Sequence, residues 1–365
     1  MPPSAVFRPP SLKREQSVGG IPIYTGDDII IKQQTKSPNR SHWFGPAEFQ
    51  IQGITWTLDE FAGGGADGQA YLTTHKSSGD RFVAKFCRKK DSTEVKFVMD
   101  MPHELVVHEN FVRYEMIVVG VREHFEPAHD ILFMEHIPNG ELFDLLASEE
   151  PSVKGKPVSA GTSRRFLRDV ISGMAECYRS GVTHRDLKPE NLLINETGRI
   201  VIIDMGHAKR AAPSKEAEAH GGSLLERATT TNAYGTPAFS APEVLDREAR
   251  RGRRPYDCEA ADVWSLGVIA FYLHAKLPCF SQAGGVVNFS DIGGPDNEQL
   301  WQLIDNYRAY YPEFPEGLRR FINSLWREDP LQRPSFGKLE RAMGGDRDVL
   351  EQFPGLEWLA EPVND

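Results

Sequence analysis

The chain has 365 residues, 40% hydrophobic and 26% charged, enough apolar material to bury a sizeable core. Its net charge of −10 argues against general nucleic-acid binding and leaves room for a cationic partner. The four cysteines, Cys87, Cys177, Cys258 and Cys279, include no CxxC pair, which suits neither a zinc site nor a disulfide framework and points to a reducing compartment.

The opening "MPPSAVFRPPSLKREQ" has no apolar signal core, and Pro2 removes the myristoylation signal. No run of eighteen apolar residues occurs, so no membrane span is expected. The expectation is a cytoplasmic protein, with the nucleus left open, monomeric and with no membrane or nucleic-acid partner. Residues 1–48, rich in Pro, Ser and charge, read as a flexible extension in which "DDIII" is a candidate docking stretch.

From Phe49 onward the pattern is that of strands. "ITWTLDEF" and "QAYLTTH" flank the glycine cluster "GGGADG", "HKSSGD" is a turn, and "RFVAKFC" is a third strand. Helical periodicity is expected from Glu104 to Tyr114, then strands near Ile117–Phe125 and Asp130–His136. After "PNGEL" the periodicity becomes helical. "SRRFLRDVISGMAECYRS" carries an apolar stripe, a hairpin over Leu192–Ile203 turns at "NETG", and "ADVWSLGVIAFYLHAKL" is the most apolar helix. Strands first and helices later predict a small β-rich lobe followed by a larger α-rich lobe. No internal repeat is visible.

Chemistry concentrates in "GVTHRDLKPENLLINETGRIVIIDMGHAKR", Gly181 to Arg210. Asp186, Lys188 and Asn191 share one loop. The hairpin that follows doubles back and brings Asp204 towards Asn191. An amide oxygen beside a carboxylate suits a hard cation such as Mg²⁺. Lys188 can neutralise a phosphate, and Asp186 is left to accept a hydroxyl proton, which together are the parts of phosphoryl transfer. Gly63, Gly65 and Gly68 fit GxGxxG, a spacing that lets backbone N–H groups approach phosphate. Alone that spacing is equally well explained by a flexible loop. Its place between two strands, rather than strand then helix, disfavours a dinucleotide fold. Lys85, ending "FVAK", is either a strand edge or a phosphate ligand.

These residues resemble the eukaryotic protein kinase family over about residues 49–345. "THRDLKPEN" looks like its catalytic loop, and "DMG" at Asp204–Gly206 like its DFG element. "YGTPAFSAPE", Tyr234 to Glu243, looks like the end of an activation segment. "DVWSLGV" looks like the buried helix of the large lobe, and "DPLQRPS" supplies the arginine that pairs with the APE glutamate. "DLKPEN" with "GTPAF" is similar to the serine/threonine class, and "PNGELFDLL" to the calcium/calmodulin-dependent and AMP-activated groups.

The resemblance implies an α+β, two-lobed protein kinase fold: a small N-lobe over 49–134, a hinge over 135–140 and a mostly helical C-lobe over 141–345. Residues 346–365 are left as a short tail. It implies a serine/threonine kinase using ATP and Mg²⁺. Asp186 is then the base, and Lys188 stabilises the transferring phosphoryl group. Lys85 orients the α- and β-phosphates, held by Glu104, with Glu109 as the other choice. Asn191 and Asp204 bind the metal. Gly63, Gly64, Gly65 and Gly68 cover the nucleotide, and Ala70, Val83, Met134 and Leu193 sandwich the adenine. Glu135, Ile137 and Glu141 complete the nucleotide contacts. Glu141, Glu190 and Thr236 face the protein substrate, basic around its acceptor. Arg185, Glu243, Asp262 and Arg333 are structural.

Three positions depart from the family pattern. Asp67 stands where an aromatic residue tips the glycine loop, Ala70 replaces valine, and Met205 replaces phenylalanine. The segment between Asp204 and Glu243 is long and polar, and Thr229, Thr230 and Thr231 are phosphate acceptors that Arg185 and Lys209 could pair with, set by an upstream kinase. A catalytically weak nucleotide-binding scaffold is the alternative reading. A small-molecule kinase is disfavoured by "YGTPAFSAPE", since that segment serves a peptide-binding loop in protein kinases. The acidic tail does not suit a calmodulin target.

Overall fold

The computed structural model describes residues 16–18, 20–37, 39–65, 67–88, 92–122, 124–148, 157–210, 229–230, 235–246, 251–252, 254–276, 298–306 and 312–363. The chain divides into two compact units, Met1–Val106 with Val112–His136, and Val107–Phe111 with Ile137–Asp365.

The small unit is built on a nine-stranded sheet. Its strands are β1 Gln16–Val18, β2 Ile21–Thr25, β3 Ile29–Gln34, β4 Ala47–Ile51 and β5 Ile54–Gly64. They are followed by β6 Gly68–His75, β7 Arg81–Cys87, β8 Tyr114–Val119 and β9 Asp130–Glu135. The spatial order is β1-β2-β8-β9-β7-β6-β5-β4-β3. β2 runs parallel to β8. Two short helices, α1 Thr93–Met99 and α2 His103–Val106, lie in the chain between β7 and β8.

The order forces the sheet to curl. β2 and β3 lie seven strand spacings apart, about 33 Å on a flat sheet at roughly 4.8 Å per spacing. Only Gly26–Asp28 joins them, a reach of about 14 Å at most. The sheet therefore bends until its two ends meet. Gly26 sits so close to Gly120 that a Cβ there would lie 2.1 Å from the Gly120 carbonyl oxygen. The curl encloses an aromatic core of Phe44, Phe49, Trp56, Tyr71, Phe86, Phe125 and Phe133.

From Gln16 onward, the described part of the N-terminal stretch corrects the expectation of a flexible extension over 1–48. Residues 16–34 supply three strands, and "DDIII" turns into β3. Ile21, Ile23 and Ile29 are buried. Pro, Ser and charged residues dominate the composition of this stretch and mask its sparse isoleucine alternation. The helix expected over Glu104–Tyr114 is also displaced: α1 begins earlier, and α2 ends at Val106.

In the large unit, α3 is Leu142–Ala147 and α4 is Ala160–Arg179, capped by Ser159, whose hydroxyl accepts from Thr162 N–H at 3.1 Å. β10 Val182–Thr183 pairs with β13 Lys209–Arg210, and β11 Leu192–Ile194 with β12 Ile200–Ile202. β14 Thr229–Thr230 pairs with β15 Tyr256–Asp257, and α5 is Pro242–Leu245. α6 Cys258–Ala275 is buried on nearly every face, which accounts for apolar residues all round it. Against it pack α7 Glu298–Asn306, whose Trp301 ring meets Phe271, and α8 Glu316–Leu325, while α9 Phe336–Met343 packs on α4.

Within 346–365, expected as a short tail, the described residues form α10 Arg347–Gln352 and α11 Glu357–Ala360. Arg164 on α4 donates to the carbonyls of Trp358 at 2.6 Å and Pro362 at 2.8 Å, and Arg168 to that of Leu359 at 3.0 Å. The Arg164 guanidinium also lies over the Trp358 ring at 4.7 Å. These arginines satisfy carbonyls that the end of a short helix leaves open. Leu356 and Leu359 are fully buried beside them. Among the described residues no helix is long and apolar enough to cross a membrane.

Candidate active site

In the small unit, candidate nucleotide-contacting residues gather on one face of the sheet. On β7, Phe82, Ala84 and Phe86 point into the aromatic core, so the alternation of a strand sends Val83 and Lys85 to the other side. Register places Met134 opposite Val83, and both Ala70 and Leu132 opposite Lys85. Ala70, Val83, Met134 and Lys85 therefore share a face. Ile137 and Leu193 belong to the large unit, where Leu193 bridges Glu141. Glu135 accepts from the Arg113 backbone N–H at 2.8 Å.

Lys85 corrects the choice of partner. Its Nζ lies 2.6 Å from Oε2 of Glu94, whose side chain is 1% exposed. Glu104 is exposed on α2, and the runner-up Glu109 lies 3.7 Å from Arg199. Glu94 stands in the first turn of α1 on the same stripe as the buried Val98, four residues on. A carboxylate on a buried stripe needs a cationic partner, and that was the missed signal. Tyr114 adds a long hydroxyl contact to Glu94 Oε1 at 3.5 Å. Burial drives the nearby Cys87 thiol up to about 12, with the Glu94 charge adding to it, so this thiol is not a nucleophile at neutral pH.

The glycine cluster joins β5 to β6. A Cβ at Gly68 would lie 2.5 Å from the Phe86 carbonyl oxygen, so only glycine fits there. Gly63 and Gly65 face open space, and Gly64 packs on Gln69 and Phe61. Gly65 N–H donates to Gly68 O at 3.0 Å and closes the turn. Asp67 is half-buried, and its carbonyl accepts from Arg88 N–H at 2.9 Å.

In the large unit, Asp186 is nearly enclosed and both its oxygens are held. Oδ1 accepts from the Thr236 N–H at 2.9 Å and hydroxyl at 3.0 Å. Oδ2 lies 3.0 Å from Lys188 Nζ and 3.6 Å from His207 Nδ1. Lys188 Nζ also donates to the Thr236 hydroxyl at 3.0 Å. Burial pushes the Asp186 carboxyl up, but the His207 ring beside it, the Lys188 ammonium's contact and the Lys188 charge outweigh it. The carboxyl is held well below its ordinary range.

Asn191 Nδ2 donates to the Asp186 carbonyl at 2.8 Å, which leaves its amide oxygen for another partner. The Asn191 carbonyl accepts from Ile203 N–H at 3.0 Å. The β11–β12 hairpin thus delivers Asp204 to the same end as Asn191. Asp204 has the left-handed backbone φ of 62°, and its carboxylate accepts from Gly206 N–H at 3.1 Å. Arg185 has φ 68°. Two non-glycine residues in this region flank the same loop, an arrangement that costs about 1–3 kcal/mol each and clusters at functional sites. The described residues contain no group of three or more His, Cys, Asp or Glu able to hold a metal. One carboxylate and one amide oxygen fit Mg²⁺, which takes few protein ligands and fills its shell with phosphate oxygens and water.

Asp262, fully buried on α6, fixes the loop backbone. It accepts from His184 N–H at 3.1 Å, Arg185 N–H at 3.0 Å and Tyr178 hydroxyl at 2.6 Å. Burial pushes its carboxyl up, against the pull of His184 and Tyr178. Arg185 Nε donates to the His207 carbonyl at 2.6 Å. Arg333 forms a two-pronged pair with Glu243, at 2.6 and 3.0 Å, and also donates to Ala260 O at 2.8 Å. Met205, in place of phenylalanine, is fully buried. Thr230 is buried in β14, and Thr231 lies outside the described residues. His207, 3.6 Å from Asp186 Oδ2, is a residue of this candidate site that sequence reasoning passed over.

The family model described as protein kinase domain matches residues 56–342. "CBL-interacting protein kinase 26" of Oryza sativa subsp. japonica is 31% identical over 77% of this chain and 50% of its own length. "CBL-interacting protein kinase 19" of the same plant is 32% identical over 82% of this chain and 56% of its own. "SNF-related serine/threonine-protein kinase" of Rattus norvegicus is 27% identical over 80% and 34%. The matched region spans about half the length of the plant relatives and a third of the rat one. With the family model matching residues 56–342, this chain belongs to the protein kinase domain family.

Proposed function

We propose that the chain is a protein serine/threonine kinase that transfers the γ-phosphate of ATP to a hydroxyl of a protein substrate. The observation that carries this reading is the fixed Asp186. Two donors of Thr236 hold one oxygen, and Lys188 and His207 face the other. A carboxylate kept ionised and aimed by such contacts accepts the proton of an incoming hydroxyl, and Lys188 beside it offsets charge on the transferring group. Lys85, neutralised and oriented by Glu94, binds the α- and β-phosphates. Asn191 and Asp204 hold Mg²⁺, which shields phosphate charge when bound. The weak-scaffold alternative is disfavoured because Lys85, Asp186, Asn191 and Asp204 are all present.

The substrate reading adds a basic residue near the acceptor. Burial, then Asp144 and Glu190, push the Glu141 carboxyl up, so these acids form a cluster that gains from a cation. Glu190 Oε2 is inaccessible and takes no hydrogen bond among the described residues. Phosphorylation at Thr229–Thr231 is proposed as the activating switch, with Arg185 and Lys209 as its cationic partners. Since Thr230 is buried, a phosphate there requires β14 to leave β15. The test of the function is Mg-ATP turnover on an arginine-containing serine peptide, with Lys85→Met alongside. Turnover that depends on Lys85 and falls when Glu141 and Glu190 become Gln supports the reading. Turnover indifferent to Lys85 overturns it.

A further inference from the structure

Strand alternation sends Gln69 and Tyr71 to the side of β6 opposite Ala70, away from the face that carries Lys85. Both are buried, at 8% and 2% exposure, immediately after the glycine loop. Buried polar groups need partners, and theirs come from the chain ahead of the region matched by the family model. Trp43 N–H donates to Gln69 Oε1 at 2.7 Å and to the Tyr71 hydroxyl at 3.0 Å. Phe44 N–H donates to the same hydroxyl at 3.0 Å. Gln69 Nε2 donates to Ser41 O at 2.8 Å, and the Tyr71 hydroxyl donates to Gln69 Oε1 at 2.7 Å. The Tyr71 hydroxyl thus fills its one donor and two acceptor roles.

The same segment grips the other strand of the loop. The His42 ring stacks on Phe61 at 4.0 Å with the planes 18° apart. Phe61 stands opposite Tyr71 on β5, two positions before Gly63. A third contact reaches the tip. The Arg88 guanidinium lies over the Trp43 ring at 4.9 Å, while Arg88 N–H holds the Asp67 carbonyl at 2.9 Å.

We propose that Ser41–Phe44 is a brace that holds the glycine-rich loop ready for nucleotide, which makes His42, Gln69 and Tyr71 positioning residues for ATP. This rests on the kinase reading above, in which that loop covers the phosphates. The physical need is plain. Gly63 and Gly65 have open space around them, and glycines lose the most freedom when ordered. Each contact that fixes both strands beforehand removes part of that cost from nucleotide binding. The loop lacks an aromatic residue at Asp67 to pin its tip from within; the pinning comes from His42, Trp43 and Arg88 outside it.

The experiment uses the full chain and the variants His42→Ala, His42→Phe and Tyr71→Phe. Mg-ATP affinity is read by displacement of a fluorescent nucleotide, and KM for ATP, KM for peptide and kcat by steady-state kinetics, with thermal unfolding alongside. His42→Ala and Tyr71→Phe should weaken ATP binding and raise its KM by about tenfold, equivalent to about 1.4 kcal/mol. Peptide KM should not move, and kcat should change less than about twofold, as expected for loss of uniform binding. His42→Phe keeps the stack and should behave as wild type. Unchanged ATP affinity in folded His42→Ala overturns the brace, as does a parallel loss of kcat and peptide KM, which marks general damage. If Tyr71→Phe fails to fold, the His42 pair decides alone. Wild type that binds no Mg-ATP overturns the kinase reading itself, and the brace with it.

Discussion

Replacing Lys85 by methionine removes the ammonium that neutralises Glu94, whose side chain is 1% exposed. Stranding a buried charge in this way costs about 3–5 kcal/mol. The opposite change, Glu94→Leu, strands Lys85, which is 16% exposed. A lysine stem lets its head reach water from such a position, so the cost is smaller, about 1–2 kcal/mol. Removing both charges in Lys85→Met/Glu94→Leu replaces an ion pair by apolar groups of similar volume. That exchange is often neutral, so the double variant should be more stable than Lys85→Met alone. Glu104→Ala, at an exposed site, should lie within about 0.5 kcal/mol of wild type. Urea unfolding midpoints, supported by hydrogen exchange of the β7 amides, measure the series. Additive losses in the double variant, or a Glu104→Ala loss equal to that of Lys85→Met, would refute the pairing and its burial argument.

Asp186→Asn should lower kcat at least tenfold while Mg-ATP affinity stays near wild type, since acid–base groups contribute about 10²–10⁴ in rate. Asp204→Ala should weaken ATP binding measured with Mg²⁺ and leave binding without the metal unchanged, as checked by titration in its presence and absence. Because the Asp186 carboxyl is held below its ordinary 3.8, it stabilises the fold above that pH, and its contribution is lost as pH falls further. Stability measured across acid pH should show that loss, and the kcat/KM profile should show no acid limb from Asp186 above about pH 5. Arg333→Ala leaves Glu243 and the Ala260 carbonyl without their shared donor, and urea unfolding should report a loss of about 3–5 kcal/mol.

The arrangement of Asp186, Lys188, Asn191 and Asp204 was legible because they are close in sequence: the first three lie on one loop, and a short hairpin returns Asp204. β6 and β7 were legible as strands, whereas the shared face of Ala70, Val83 and Lys85 follows from the register of the folded sheet. Glu94 was missed because its meaning depends on a buried helix face, and the expected helix was placed too late in the chain. Composition hid residues 16–34, whose few isoleucines gain their burial only from distant strands β4 and β8. His42 and Trp43 were unreadable for the same reason: their partners, Phe61, Gln69 and Tyr71, lie well ahead in the sequence. The last turns were misjudged because α11 is stabilised by Arg164 and Arg168, nearly two hundred residues away.

The central claim is Asp186-dependent transfer of phosphate to a serine or threonine hydroxyl. The most direct measurement offers wild type and Asp186→Asn the same Mg-ATP labelled at the γ-phosphate, with matched peptides whose acceptor is Ser, Thr or Tyr. The account predicts label on the Ser and Thr peptides with wild type alone and little on the Tyr peptide. Label transferred equally by Asp186→Asn, or by wild type only to tyrosine, would contradict it.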